Sequence, residues 1–237
     1  MPELPFSYSI RRSQRATRTR IIVTTGKIEV VAPPQIAEHR LHQFVSEKQQ
    51  WIISALDKVV SQQPKVPVPA FYREGVDIIY QGTAYKLSIT PSKLKRVKIN
   101  FADAFIAHVP EALLTTAYSD AIKVALTNWM KAQIRLHVER LVNHHAGKKQ
   151  LVPRSIIIKT QKSRWGSCGI HNDININWLL VMAPPEVLEY VVVHELCHIR
   201  VRNHSARFWN LVAEHLPDYQ HQRRWLKQHG GQLMRGL

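Results

Sequence analysis

The sequence predicts an α+β fold with a β-rich N-terminal region. Two strand-like stretches, 6–32 and 76–109, are rich in β-formers set among polar residues. A long helical pattern fills 112–146, and further helices follow Pro184. The composition, 45% hydrophobic with 9 Gly and 13 Pro in 237 residues, supplies a packed core and excludes a fibrous or low-complexity chain. The expected organisation is a β-rich region with one helix over 1–110 and a second domain over 111–237.

The elements read as follows. Tyr8, Ile10, Ile21, Val23, Ile28, Val30 and Val31 mark the first strands, and Thr25-Gly26-Lys27 reads as a hairpin turn. Pro33-Pro34 stops the sheet pattern, and Leu41, Phe44, Val45, Trp51, Ile52, Ala55 and Leu56 fit a helix over about 36–60. Ser61 to Ala70 holds Pro64, Pro67 and Pro69 and reads as a stiff linker. Strand character returns at Val76–Tyr80, Tyr85–Ile89, Val97–Ile99 and Phe105–Val109, with a turn near Gly82. The alternation there predicts an antiparallel sheet with one wet face.

Leu113, Ala117, Ala121, Val124, Ala125, Trp129, Ile134, Val138 and Leu141 carry the long helix, with Gly147 as its stop. Two strands follow at Ser155–Lys159 and Ile174–Trp178. Pro184-Pro185 suits the first turn of a helix reaching about Asn203. A helix over Ser205–His215 ends before Pro217, and Asp218 caps a last helix that stops at Gly230-Gly231.

Charge and cysteine content narrow the function classes. Lys plus Arg outnumber Asp plus Glu by 33 to 17, a net +16 that favours polyanions such as nucleic acid or nucleotides. Basic residues cluster at Arg11, Arg12, Arg15, Arg18 and Arg20, at Lys93, Lys95, Arg96 and Lys98, and at Arg200, Arg202 and Arg207. Two cysteines, Cys168 and Cys197, are too few for a disulfide scaffold and lack the CxxC spacing of a zinc ribbon. No apolar run reaches the roughly 18 residues of a membrane span, and the first residues lack a signal-peptide core. The expected setting is cytoplasmic, without a membrane partner.

The chemistry concentrates in Val191-Val192-Val193-His194-Glu195-Leu196-Cys197-His198, a His-Glu-x-x-His motif on a predicted helix. Residues four apart share a helix face, so two imidazoles converge on one metal ion. Glu195 projects about 100° further round, within reach of a water activated by that metal. Burying two His and a Glu among valines is costly without a partner, and a metal removes the cost. A catalytic zinc takes three protein ligands, and His204 and Glu214 are the candidates for the third. Zinc's common use of imidazole and the short turn after His198 favour His204.

The same stretch resembles the YgjP-like metallopeptidase family, which is related to the SprT-like zincins. The resemblance rests on Lys162-Ser163-Arg164-Trp165-Gly166-Ser167-Cys168-Gly169, on Ile174-Asn175-Ile176-Asn177 and on Pro185. It continues through Glu189 to His198, His204, Phe208-Trp209 and Pro217-Asp218-Tyr219. It is dense over about 155–226 and looser over most of the remainder, including the Arg-rich first strands and Phe44 to Trp51. It implies a zincin-like catalytic domain over 111–237, with zinc on His194, His198 and His204 and catalysis by Glu195.

Arg164 is the candidate substrate contact, on a rim where a guanidinium would bind a carboxylate, a phosphate or an oxyanion. The competing reading makes this segment a structural corner, with Trp165 in the core and Gly166 at a sharp turn. Tyr190, one turn before His194, is read as a packing residue that could also face an oxyanion, and Cys197 as a small core residue. Together these features imply a zinc hydrolase acting on a peptide or protein. The alternatives are a metal-dependent nucleotide pyrophosphatase and a nucleic-acid-binding protein with a structural zinc.

Overall fold

A computed structural model describes residues 4–24, 27–61, 69–114 and 118–237. Thr25 and Gly26 of the expected hairpin turn, Pro64 and Pro67 of the expected linker, and Ala117 of the long helix lie outside the described residues. The fold is α+β, divided into two units, Met1–Lys65 and Val66–Leu237.

In the first unit, strands β1 (Ser9–Arg12), β2 (Arg20–Thr24) and β3 (Lys27–Ala32) form one sheet with β3 in the centre. Helices α1 (Glu38–Glu47) and α2 (Gln49–Ser61) follow. The expected single helix is thus two, because Lys48 leaves helical geometry between them, at φ −97° and ψ 8°. Side chains alternate across the sheet. Ile10, Val30 and Ile21 stand in register on the face that packs Leu41, Val45 and Ile52. Arg11, Val31 and Arg20 stand in register on the other face, where Arg11 pairs with Glu29 at 3.0 Å.

The second unit opens with β4 (Asp77–Tyr80), β5 (Thr83–Ser92), β6 (Lys98–Phe101) and β7 (Phe105–Pro110), in the order β4-β5-β7-β6. The sheet is mixed, since β5 and β7 run parallel. Alternation fixes which face of a strand is wet but not the direction of its neighbour, so the antiparallel expectation fails at this pair. The β4–β5 turn uses Gln81 (φ 50°) and Gly82 (φ 80°), the two positive angles of a tight hairpin. Their N–H groups donate to the carbonyls of Val181 and Met182, at 2.9 and 3.0 Å. A Cβ on Gly82 would lie 3.2 Å from the Pro184 backbone, so only glycine lets the hairpin reach the start of the next helix.

Helix α3 (Tyr118–Ala146) buries Ile122, Leu126, Met130, Ile134, Val138 and Val142. A stripe at every fourth residue drifts about 40° per step around a helix. The buried face therefore turns as α3 passes from β6 and β7 to the C-terminal helices, which blurs its periodicity and leaves Val124 exposed. Ile99, Phe105, Ala107 and Val109 of the sheet share one core with this helix, so residue 110 lies inside the second unit. The left-handed residue that ends this region is Gln150 (φ 54°), after a short 3-10 turn at Gly147–Lys149.

A second, three-stranded sheet holds β8 (Ser155–Lys159), β9 (Gly166–Cys168) and β10 (Asp173–Asn177). Strand β10 is central, parallel to β8 and antiparallel to β9, which leaves β9 at an edge. Helices α4 (Pro185–Arg200), α5 (Ala206–His215) and α6 (Tyr219–Leu233) complete the unit. Among the described residues no helix is long and apolar enough to cross a membrane.

Candidate metal centre

Helix α4 begins with Pro185 at its first turn, where the missing N–H costs nothing. It is buried on several faces through Val191, Val192, Val193 and Leu196. It stops at Arg200, three residues earlier than the sequence suggests, because Val201 is extended (φ −128°, ψ 102°). This early reversal carries the chain back along the helix. His204 then sits with its Nε2 3.0 Å from Nε2 of His194 and 3.2 Å from Nε2 of His198.

These three histidines are the one group among the described residues whose ligand atoms, all within 4.8 Å of one another, could hold a metal ion. His198 shows why its Nε2 is available. Its Nδ1 lies 3.0 Å from the Val201 carbonyl, so Nδ1–H donates there and the lone pair remains on Nε2. Burial, helped by the other two rings and by Arg223, pushes the His194 imidazole down to about 3, so this ring is neutral. Burial likewise lowers His198. Imidazole nitrogens crowded this closely suit a cation. Glu214, the rival third ligand, is exposed on α5 and pairs with Lys149 at 2.7 Å, outside this group.

Glu195 lies beside the triad and is 5% exposed. Burial alone raises its carboxyl to about 8. No hydrogen bond or ion pair to it occurs among the described residues. Its space is made by Gly166 of β9: a Cβ there would lie 2.6 Å from Oε1 and 2.7 Å from Cγ of Glu195. The sequence explained Gly166 as a sharp turn, but its role is close approach to this carboxylate.

Asn177, fully buried at the end of β10, fixes the segment leading into β9. Its Nδ2 donates to the carbonyls of Gln161 (2.9 Å) and Arg164 (3.1 Å), and its backbone N–H donates to Trp165 (2.9 Å). The Arg164 side chain is exposed, and Trp165 packs against Gly230 of α6. A Cβ at Gly230 would meet the indole at 3.2 Å, so Gly230 serves helix–ring packing and α6 runs on to Leu233. Asp218 precedes α6 without a side-chain cap bond.

The family model for the YgjP-like metallopeptidase domain matches residues 17–229. The chain belongs to the YgjP-like metallopeptidase family. That membership makes it a metal-dependent hydrolase of the metallopeptidase type. A search of curated proteins gave no significant match.

Around the YgjP-like centre the sequence missed the role of Arg202, while Cys197 and Tyr190 are the core and packing residues it expected. Arg202, part of an expected basic flank, donates to the carbonyls of Gly169 (2.7 Å) and Ile170 (3.3 Å) and to Asn172, clamping the β9–β10 turn. Cys168 lies 3.4 Å from the same guanidinium, and Cys197 is buried with its thiol pushed up to about 12. Tyr190 stacks on Tyr219, and burial raises its phenol to about 12. Phe208 stacks on His198 at 4.4 Å, and Trp209 stacks on His204 at 5.6 Å. Aromatic rings thus wall the histidines on the α5 side.

Proposed function

We propose that the protein is a zinc-dependent peptidase in which His194, His198 and His204 hold the ion and Glu195 handles the proton. The carrying observation is Glu195, a buried carboxyl without a hydrogen-bond partner among the described residues, next to three converging imidazoles. Such a group is costly unless the function requires it. The Nε2 spacings of 3.0 and 3.2 Å support zinc. Two nitrogens on a tetrahedral zinc at about 2.0–2.1 Å stand about 3.3 Å apart.

A bound zinc would supply Lewis acidity, polarising a carbonyl and making a water proton more acidic. Glu195 would accept that proton and deliver it to the leaving nitrogen. Strand β9 supports a peptide substrate. One of its edges pairs with β10 and the other is unpaired among the described residues, and its Gly166 closely approaches Glu195. An extended peptide can add to such an edge by main-chain hydrogen bonds. A purely structural zinc would need no buried base.

The test is a turnover screen of zinc-loaded protein against mixed peptides and nucleoside triphosphates, alongside Glu195→Gln. The expected result is peptide cleavage by the parent protein, lost by at least a hundredfold in the variant, with zinc content unchanged. Undiminished cleavage by Glu195→Gln overturns the role of Glu195. Hydrolysis confined to nucleotides overturns the peptidase reading.

A further inference from the structure

Helix α6 presents Tyr219 and, one turn on, Arg223 toward Trp209. The Arg223 guanidinium lies over the indole, 4.3 Å from the ring centroid. Tyr219 stacks on the same indole at 5.4 Å and 11°, and on Tyr190 at 6.3 Å and 16°. The indole in turn stacks on His204 at 5.6 Å and lies 5.8 Å from His194. An exposed arginine is therefore stacked on an indole that also stacks on one candidate ligand ring and contacts a second.

The placement carries an electrostatic cost. A guanidinium on the indole that contacts His204 and His194 disfavours the cation those rings would bind. No carboxylate pairs with Arg223 among the described residues. Stacking on the indole restricts the guanidinium and leaves its N–H fork unspent. An unpaired, oriented cation at a metal-dependent site is offset when the ligand brings the anion. Arg202 is committed to the β9–β10 turn, and Arg224 contacts His221 at 3.4 Å. A planar fork of this kind pairs with a carboxylate by two parallel hydrogen bonds.

We infer that Arg223 is a specificity element that binds a carboxylate of the peptide substrate close to the scissile bond. The carboxylate comes from an acidic side chain or from a free C-terminus. This rests on the peptidase reading above.

The test measures binding rather than turnover. Zinc-loaded Glu195→Gln protein is titrated calorimetrically with three peptides of one sequence. The first has an internal Glu and an amidated end, the second has Gln in its place, and the third has Gln with a free C-terminal carboxylate. At least one anionic peptide is expected to bind ten times more tightly than the neutral one or better. Arg223→Gln in the same background is expected to abolish that preference, with zinc content and circular dichroism unchanged, and Arg223→Lys to restore part of it.

Equal binding of all three peptides, or binding of none, overturns the inference. So does an Arg223→Gln protein that keeps the preference or weakens all three peptides equally. No anionic preference in protein that keeps Arg223, with intact peptide cleavage by the parent protein, would sink this inference alone. Intact preference without cleavage by the parent protein would sink the catalytic reading alone.

Discussion

Glu195 and His194 are neighbours in sequence but are shifted in opposite senses by the same burial. In the metal-free protein Glu195 titrates near 8 instead of its ordinary 4.5. Between those values the folded state holds a proton that the unfolded state has lost, so stability falls as pH rises. His194, lowered from 6.5 to about 3, acts the other way, and its stabilising effect is complete above about 6.5. From about pH 6.5 to 8 the Glu195 effect therefore stands clear of the His194 one. Urea unfolding of the chelated protein should lose up to about 1.4 kcal/mol per pH unit there from this group. Glu195→Gln should flatten that slope, and an unchanged slope in the variant would refute the shift. Gly166 makes this burial attainable, because any larger residue would displace the carboxyl.

At the scale of elements, the centre depends on two reversals of the chain. One is the break at Val201, which returns His204 to the face of α4. The other is the segment into β9, held by Asn177. Replacing Asn177 by Ala removes two donors to main-chain carbonyls and the acceptor of the Leu179 N–H at 3.3 Å. Buried groups left without partners cost about 1–3 kcal/mol each. Asn177→Ala should lower unfolding stability by roughly 2–4 kcal/mol while keeping metal stoichiometry, because no candidate ligand lies on that segment. Loss of metal binding together with intact stability would contradict this division of labour.

At the scale of the molecule, every candidate site residue lies in the second unit, although the family match begins at residue 17 in the first. The three histidines lie on α4 and on the chain just beyond its end, so a bound ion ties the helix to the returning segment. Zinc that binds only the folded state should raise stability by about 4 kcal/mol at a thousandfold excess over its dissociation constant. Scanning calorimetry with and without zinc should show an upward shift of Tm in the parent protein and none in His194→Ala. A shift of equal size in that variant would place the stabilising ion elsewhere.

The long helix, most strands and the common helix of His194, Glu195 and His198 were legible in the sequence. Helical period and β-alternation are local, so they survive without knowledge of the fold. The sequence also favoured His204 over Glu214, and the structure places His204 at the triad and Glu214 on Lys149. The parallel pairing of β5 with β7, the approach of Gly166 to Glu195 and the indole under Arg223 were decided by tertiary structure. Each joins residues well apart in the chain, and no local pattern records which distant side chain a residue will meet. His194, Glu195 and His198 lie within five residues of one helix, whereas Arg223 comes to the indole that stacks on His204 from α6, which packs against α4.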